Sequence, residues 1–238
     1  MQVSDKKIVF NTVFEKLSVT IIDGRKLEYH SEYYEKKRNA FNIDKMIEGA
    51  LAACGVEFSD ISKIYVFCGP GSFTGIKLGL SMVYGLLCGS GERCVPNGLS
   101  LLDYLLFCGL QKKCDRKRLT AVIPGVRGEY FAKTMEPVKD DMAASFKNIS
   151  DEFVVLSEKM ALDTADDRYV ADPLSKAFFT DEKLPSSIRE GALTVKVEAE
   201  GILKFIDFCE ETDNSRFLPL SPIYLKDTYA IKPKTETC

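Results

Sequence analysis

The stretch Cys68–Leu80, "CGPGSFTGIKLGL", decides the fold because it joins a strand-like run to a long apolar helix. Ile64–Cys68 is continuously apolar, as expected for a strand that is buried on both faces. Four glycines, a serine and a threonine lie within the stretch itself. The following segment, Ile76–Cys88, is apolar nearly all round, which predicts a helix packed on more than one side.

Glycine turns between a strand and a helix often bind phosphate, because backbone N–H groups at a helix N-terminus attract anions. The spacing here fits neither standard motif. Five residues separate Gly69 from Gly75, where a P-loop has four, and Ile76 stands between Gly75 and Lys77. The dinucleotide motif GxGxxG misses its third glycine by one position. Two interpretations stay open, a tight turn for close helix packing or an anion site. The candidate anion-binding residues are Gly71, Ser72, Phe73, Thr74 and Gly75.

Upstream of this stretch, the sequence predicts a three-stranded meander and an amphipathic helix. The strands are Lys7–Val13, Leu17–Asp23 and Leu27–Tyr34. The helix is Asn39–Gly55, whose apolar residues recur at helical spacing. A short strand at Cys94–Pro96 and a helix at Leu99–Cys108 follow the glycine stretch. The order β-β-β-α-β-α-β-α is that of a mixed sheet with covering helices, an α/β fold.

The second half of the chain repeats this opening less clearly. After a basic connector at Gln111–Arg118, strands are predicted at Leu119–Ile123 and Glu129–Met135. Weaker strands at Phe153–Leu156 and Arg168–Ala171 precede one helix marked by Ile202, Leu203, Phe205, Ile206 and Cys209. We therefore predict an N-terminal lobe at 1–110, a C-terminal lobe at 111–218 and an extended tail at 219–238.

Composition excludes several classes of function. The 238 residues carry 32 basic and 35 acidic side chains, a net charge of -3, so an autonomous nucleic-acid binder is not expected. Eight cysteines without a CxxC pair do not predict a structural zinc site. The single histidine, His30, cannot form a paired-histidine metal site. The start "MQVSDKKIVFNTV" lacks a charged-then-apolar leader, and no apolar run has membrane-spanning length, which predicts a cytoplasmic protein without membrane contact.

The segment Gly69–Gly89, "GPGSFTGIKLGLSMVYGLLCG", is similar to the stretch GPGSFTGLRIGLSTAKGLA of the TsaB/YeaZ family. Weaker similarities keep the family's order along the chain: they are His30-Ser31-Glu32, "VPNGLSLLDYL" at Val95–Leu105, "GVRGEYF" at Gly125–Phe131 and "SPIYLK" at Ser221–Lys226.

This resemblance implies an actin-like ATPase superfamily fold of the ribonuclease H-like kind, with two related lobes of mixed sheets covered by helices. It also implies a non-catalytic scaffold subunit of the complex that makes N6-threonylcarbamoyladenosine at tRNA position 37. The implied partners are a TsaD-like catalytic subunit, a TsaE-like ATPase and, through the complex, tRNA. Such subunits also form homodimers. The chain itself would require no cofactor, while the complex uses ATP and Mg.

Three departures from the family pattern argue against independent ATP hydrolysis. Asn11-Thr12-Val13 stands where the family has DTS, and an amide cannot hold hydrated magnesium as a carboxylate does. "VADPLSK" at Val170–Lys176 keeps Asp172 but lacks the family's flanking glycines, and Pro124-Gly125 replaces a polar opening. An independent kinase or ATPase of this fold stays as the alternative function. A protease is a further alternative, which the single histidine disfavours.

In the family, the helices after the third strand and after the glycine motif form the partner-binding face. The corresponding segments here are Asn39–Cys54 and Ile76–Cys88, although ordinary core helices would show the same pattern. The predicted interface residues are Ile43, Met46, Ile47, Ala50, Gly75, Lys77, Gly79, Val83 and Gly85. No catalytic or metal-binding residue is predicted. The basic runs Lys112–Arg118 and Lys36–Arg38 would either contact tRNA phosphates or be solvated loops.

Overall fold

A computed structural model describes most of the chain. The described residues are 5–14, 16–34, 43–90, 94–112, 118–125, 128–137, 146–148, 153–161, 167–212 and 216–224. The basic runs at 36–38 and 113–117, the predicted helix start at 39–42 and the end of the tail at 225–238 lie outside them. Among the described residues, no helix is long and apolar enough to cross a membrane.

The first sheet has five strands in the order β3-β2-β1-β4-β5. They are β1 (Lys6–Asn11), β2 (Leu17–Asp23), β3 (Lys26–Tyr33), β4 (Ile61–Gly69) and β5 (Val95–Ser100). β1, β2 and β3 form the predicted antiparallel meander, while β4 and β5 run parallel to β1. In the register of the central strand, Val9 pairs with Thr20 on one side and Tyr65 on the other. This places the carboxyl ends of β1 and β4 side by side.

Three helices cover the first sheet. They are α1 (Ile43–Cys54), α2 (Phe73–Ser90) and α3 (Leu101–Gln111). α1 packs on β2 and β3, and α2 packs on β4. Ser100 caps α3 by accepting a hydrogen bond from the Asp103 amide (3.3 Å). An ion pair of 2.6 Å between Asp103 and Lys133 then links α3 to the second half of the chain.

The second sheet repeats the topology of the first, in the order β11-β10-β6-β7-β8, with β9 also paired to β7. Its strands are β6 (Arg118–Pro124), β7 (Glu129–Pro137), β8 (Phe146–Asn148), β9 (Phe153–Leu156), β10 (Asp167–Ala171) and β11 (Leu193–Thr194). β7 is antiparallel to β6, and β10 and β11 follow in parallel on the other side. The helices are α4 (Lys176–Thr180), α5 (Ser186–Gly191) and α6 (Ala199–Glu211).

Most predicted elements are present with shifted ends. Leu17–Asp23 and Phe153–Leu156 match their strands completely. The first strand ends at Asn11 rather than Val13, because Thr12 and Val13 turn away to contact the start of α2. α4, α5, β8 and β11 were not predicted from the sequence. The boundaries of the two predicted lobes stay a prediction. α3 packs on strands of both sheets.

A cluster of ionic hydrogen bonds fastens α6 to the first sheet. The Glu210 carboxylate accepts hydrogen bonds from Lys7 Nζ (2.8 Å), Lys63 Nζ (2.7 Å) and the Tyr65 hydroxyl (2.7 Å). Lys7 is only 2% exposed, so Glu210 compensates a buried charge. Burial alone would raise the pKa of Glu210, but the hydrogen bonds from Lys63, Lys7 and Tyr65 outweigh it and lower the pKa to about 2.

The Glu210 cluster makes the stability of the fold pH-dependent. Since the pKa of Glu210 is lower in the folded chain than its ordinary value of 4.5, the stabilisation is complete above that pH. It is lost as the pH falls toward 2, by about 3 kcal/mol in total. We expect Glu210→Gln to lower the free energy of unfolding at pH 7 by roughly 3 kcal/mol, because buried Lys7 loses its close partner and keeps only the Asp5 carboxylate at 4.0 Å. Urea denaturation at pH 7 and at pH values down to 2 measures both effects.

Glu211→Gln is the matched control, since the neighbouring Glu211 pairs with Arg25 at 2.7 Å where both side chains are more than half exposed. We expect this variant to lose about 0.5 kcal/mol or less. A Glu210→Gln protein as stable as the Glu211→Gln protein at pH 7 would contradict the role of the cluster.

Candidate functional site

The glycine turn lies on the end of β1. Gly69 and Gly71 have φ angles of 118° and 152°, which side chains rarely adopt. A Cβ atom on Gly71 would lie 2.6 Å from the Val13 carbonyl oxygen. The Ser72 amide donates a 3.0 Å hydrogen bond to that same oxygen. The glycines therefore allow the turn to approach the backbone that follows β1.

Thr12 continues this contact along α2. Its hydroxyl donates a 2.7 Å hydrogen bond to the Gly75 carbonyl, and the residue is completely buried. A Cβ atom on Gly79 would lie 2.4 Å from Thr12 Oγ1 and 3.2 Å from Val66 Cγ2. α2 thus approaches the sheet more closely than any side chain at position 79 would permit. Sequence reasoning had noted Thr12 only as part of a departure from the family pattern.

Three amides at the turn donate hydrogen bonds within the chain. Besides the Ser72 amide, the Gly75 amide donates to Ser72 Oγ (3.2 Å) and the Ile76 amide donates to the Ser72 carbonyl (2.8 Å). These bonds support the tight-turn interpretation over the anion site. Of the candidate anion-binding residues, only Phe73 and Thr74 are exposed.

α2 has two glycine-containing faces with different surroundings. Gly75, Gly79 and Val83 are buried against the sheet of the same chain. Gly85 and Gly89 lie in open space, where an added Cβ atom would contact nothing within 4 Å. The exposed residues of α2 are Phe73, Thr74, Lys77, Ser81, Tyr84, Gly85, Cys88 and Gly89. Gly75 and Gly79 therefore face the sheet, whereas Gly85 and Gly89 face solvent.

α1 shows a similar division. Ile43, Ile47 and Ala50 are buried, and Met46 is half-buried. The exposed residues of α1 are Asp44, Lys45, Glu48, Gly49, Ala52 and Ala53. The buried members of the predicted interface contact their own chain. The partner interface stays a prediction. Of its predicted residues, Met46, Lys77 and Gly85 are accessible to another molecule, together with the exposed residues around them.

The residues that would hold a magnesium nucleotide in an actin-like enzyme do not fit that group here. Asn11 is 2% exposed, and its side-chain oxygen accepts a hydrogen bond from the Val13 amide (3.3 Å). Asp172 is 1% exposed, and its two carboxylate oxygens accept hydrogen bonds from the amides of Leu174 (2.7 Å) and Val197 (2.8 Å). Both side chains order backbone turns. Among the described residues, no three His, Cys, Asp or Glu side chains are grouped to hold a metal ion.

Comparison with known proteins finds relatives for part of the sequence and for the fold. The family model described as "TsaD: tRNA N6-adenosine threonylcarbamoyltransferase" matches residues 35–97, which include α1, the glycine turn and α2. The tRNA threonylcarbamoyladenosine biosynthesis protein TsaB of Escherichia coli K12 is 27% identical over 124 residues, 52% of each chain. The match thus spans about half the length of this curated relative.

Two solved structures from Pseudomonas aeruginosa match the fold across nearly the whole chain. YeaZ has a TM-score of 0.71 at 18% identity, and a protein described as similar to peptidase YEAZ has a TM-score of 0.70 at 19% identity. In both cases the match covers 93% of this chain and 100% of the other.

The repeated sheet topology and this match define an α/β protein with the fold of YeaZ, whose two mixed sheets are covered by helices as the sequence predicted. The glycine stretch and the TsaB match then make the chain similar to proteins of the TsaB/YeaZ family. The family-model match begins at residue 35, so the weaker similarity at His30-Ser31-Glu32 lies outside it.

The close approach of α2 to Thr12 predicts opposite effects of the same substitution at two glycines. We expect Gly79→Ala to lower the free energy of unfolding by about 1 to 3 kcal/mol, since the new methyl group collides with Thr12 Oγ1. Gly85→Ala should raise it by up to about 1 kcal/mol, because alanine is the better helix former in open space. Urea denaturation of both variants measures the difference. Equal stability of the two variants would contradict the packing described for α2.

Proposed function

We propose that this chain is a non-catalytic scaffold subunit in the synthesis of N6-threonylcarbamoyladenosine at position 37 of tRNA. Similarity to the TsaB/YeaZ family supports the reaction, since the Escherichia coli relative is a tRNA threonylcarbamoyladenosine biosynthesis protein. In this proposal a TsaD-like subunit carries out the transfer, and a TsaE-like ATPase and tRNA join through the complex. ATP and Mg act in the complex, which works in the cytoplasm.

The observation that carries the scaffold role is the filled space at the end of β1. There the Thr12 hydroxyl and the Val13 carbonyl bond to α2 and the glycine turn, at 2.7 and 3.0 Å. A nucleotide phosphate at this position would meet a carbonyl oxygen and a buried amide side chain, rather than free N–H donors and a carboxylate. The chain therefore has the fold of an ATPase without the polar groups that this chemistry needs at that site.

The outward face of α2 is the proposed docking surface for the TsaD-like subunit. Ser81, Gly85 and Gly89 are small and exposed, so another backbone can approach the helix closely there. Lys77 lies beside them, with its Nζ 4.2 Å from the centre of the Phe73 ring. A second copy of this chain would use the same surface, so homodimers and the heterodimer would compete for it.

The alternative of an independent kinase or ATPase is tested separately from the scaffold role. Isothermal titration with Mg-ATP and a phosphate-release assay use the isolated chain. We expect neither binding heat nor turnover, because Asn11 and Asp172 are occupied by backbone hydrogen bonds. Turnover by the isolated chain that Asn11→Ala abolishes would overturn the non-catalytic assignment. A protein-cleavage assay tests the protease alternative in the same way.

A bulky charge on the docking surface should prevent assembly. We expect Gly85→Arg to weaken binding to the TsaD-like subunit of the same organism by about tenfold or more, since the side chain fills the space a partner backbone would use. Co-purification and isothermal titration measure the association, and circular dichroism verifies the fold.

Gly191→Arg is the matched control. As at Gly85, a Cβ atom added at Gly191 would have no other atom within 4 Å. Gly191 is the last residue of α5, however, and lies beside the second sheet rather than on α2. It should bind the TsaD-like subunit as the unmodified chain does. Equal binding by both variants would rule out the α2 surface. No association of the unmodified chain would rule out the scaffold role itself.

A further inference from the structure

Residues 217–224, which come after α6 and are called the C-terminal segment below, contact β4, β5 and α2. The Phe217 ring lies 5.3 Å from the Tyr65 ring on β4. Leu218 and Gly98 exchange two backbone hydrogen bonds of 2.8 and 2.9 Å. The Ile223 amide then donates to the Cys68 carbonyl at 2.9 Å. These contacts join the C-terminal segment to β4, which precedes the glycine turn, and to β5, which pairs with β4.

The same segment also contacts α2 from the side. The Tyr84 hydroxyl donates a 2.5 Å hydrogen bond to the Leu220 carbonyl. The Tyr224 ring lies 5.1 Å from the Phe73 ring, at the first residue of α2. Phe73 is in turn the ring beneath Lys77. The segment therefore touches both the start and the middle of the helix proposed as the docking surface.

Two glycines make room for this path. A Cβ atom on Gly98 would lie 2.8 Å from Cys68 Sγ, 2.8 Å from the Leu218 oxygen and 2.9 Å from the Pro219 oxygen. A Cβ atom on Gly69 would lie 2.9 Å from Ile76 Cδ1 and 3.2 Å from the Ile223 oxygen. Side chains at these positions would collide with the segment and with the side chains beneath it. The strand ends are thus shaped for the C-terminal segment as well as for the glycine turn.

We propose that residues 217–224 act as a latch that holds the glycine turn and the first half of α2 in the position that binds a partner. The segment flanks the exposed face of α2 at Phe73 and Tyr84, while Ser81, Gly85 and Gly89 stay open. Opening the latch removes the bonds at Cys68 and Tyr84 together and frees the turn to move. The effect on partner affinity rests on the proposed scaffold function, whereas the opening itself does not.

Cysteine reactivity reports the state of the latch. Cys68 is completely buried beneath Pro219, with Sγ 3.9 Å from the Pro219 oxygen. Cys209 on α6 is also completely buried, and burial raises the pKa of both thiols, to about 11 and about 12. Local opening of the latch exposes only Cys68, whereas global unfolding exposes both thiols. Alkylation by iodoacetamide, followed by peptide mass spectrometry, therefore separates the two events.

The test changes the tail and leaves the strands as they are. The double substitution Leu218→Pro with Ile223→Pro removes two tail N–H donors. Gly191→Ala, in open space on α5, is the control. We expect iodoacetamide to alkylate Cys68 of the proline variant about tenfold faster or more, with Cys209 and the control variant unchanged. The affinity of the proline variant for the TsaD-like subunit should fall by about tenfold.

The outcomes distinguish the latch from the scaffold role. Unchanged Cys68 alkylation in the proline variant, or equal acceleration at Cys68 and Cys209, would overturn the latch. Faster Cys68 alkylation with unchanged partner affinity would overturn the claim that the latch controls partner binding. If the unmodified chain fails to bind the TsaD-like subunit, the scaffold proposal fails, and the Cys68 result still decides whether the latch opens as a unit.

Discussion

The close contact between Thr12 and α2 is the constraint on which the arrangement of the first sheet and its helices depends. The helix can lie this near to the sheet only because Gly79 has no side chain, and the Thr12 hydroxyl then bonds to the Gly75 carbonyl inside the contact. Protein interiors tolerate little excess volume, so this approach fixes the rotation of α2 about its own axis. That rotation turns Lys77, Ser81 and Gly85 outward. The buried glycine thus determines which residues the helix presents to other molecules.

The same contact supports the proposed binding role. The actin-like superfamily that the resemblance implies uses an acidic side chain in the first strand for magnesium-nucleotide chemistry. This chain fills that position with its own turn, and Asn11 and Asp172 hold backbone amides instead. The Glu210 cluster and the C-terminal segment add two further ties to β1, β4 and β5. The carboxyl end of β1 is therefore covered by segments of the same chain, whereas the outward face of α2 is exposed.

The sequence predicted the strands and long helices well, because the meander and Ile43–Cys54 carry strong periodic patterns. It did not reveal α4 and α5, since helices of five and six residues are too short to show a period. The glycine spacing predicted close helix packing but not which element makes the contact. A pattern within α2 contains no information about Thr12, which lies more than 60 residues earlier in the chain.

The Glu210 cluster shows the same limit, since Lys7 and Glu210 are 203 residues apart in sequence and neither stands in a recognisable motif. For the docking surface, family resemblance predicts α1 and α2, and this stays a prediction. Burial then separated the residues that face the sheet from those that face solvent.

The most direct test of the central claim is a reconstitution of tRNA modification. The TsaD-like and TsaE-like proteins of the same organism are incubated with the threonylcarbamoyl-AMP precursor and unmodified tRNA, with or without this chain, and modified adenosine is quantified by mass spectrometry. We predict modification that depends on this chain and is lost with Gly85→Arg but not with Gly191→Arg. Modification to the same extent without the chain would contradict the account.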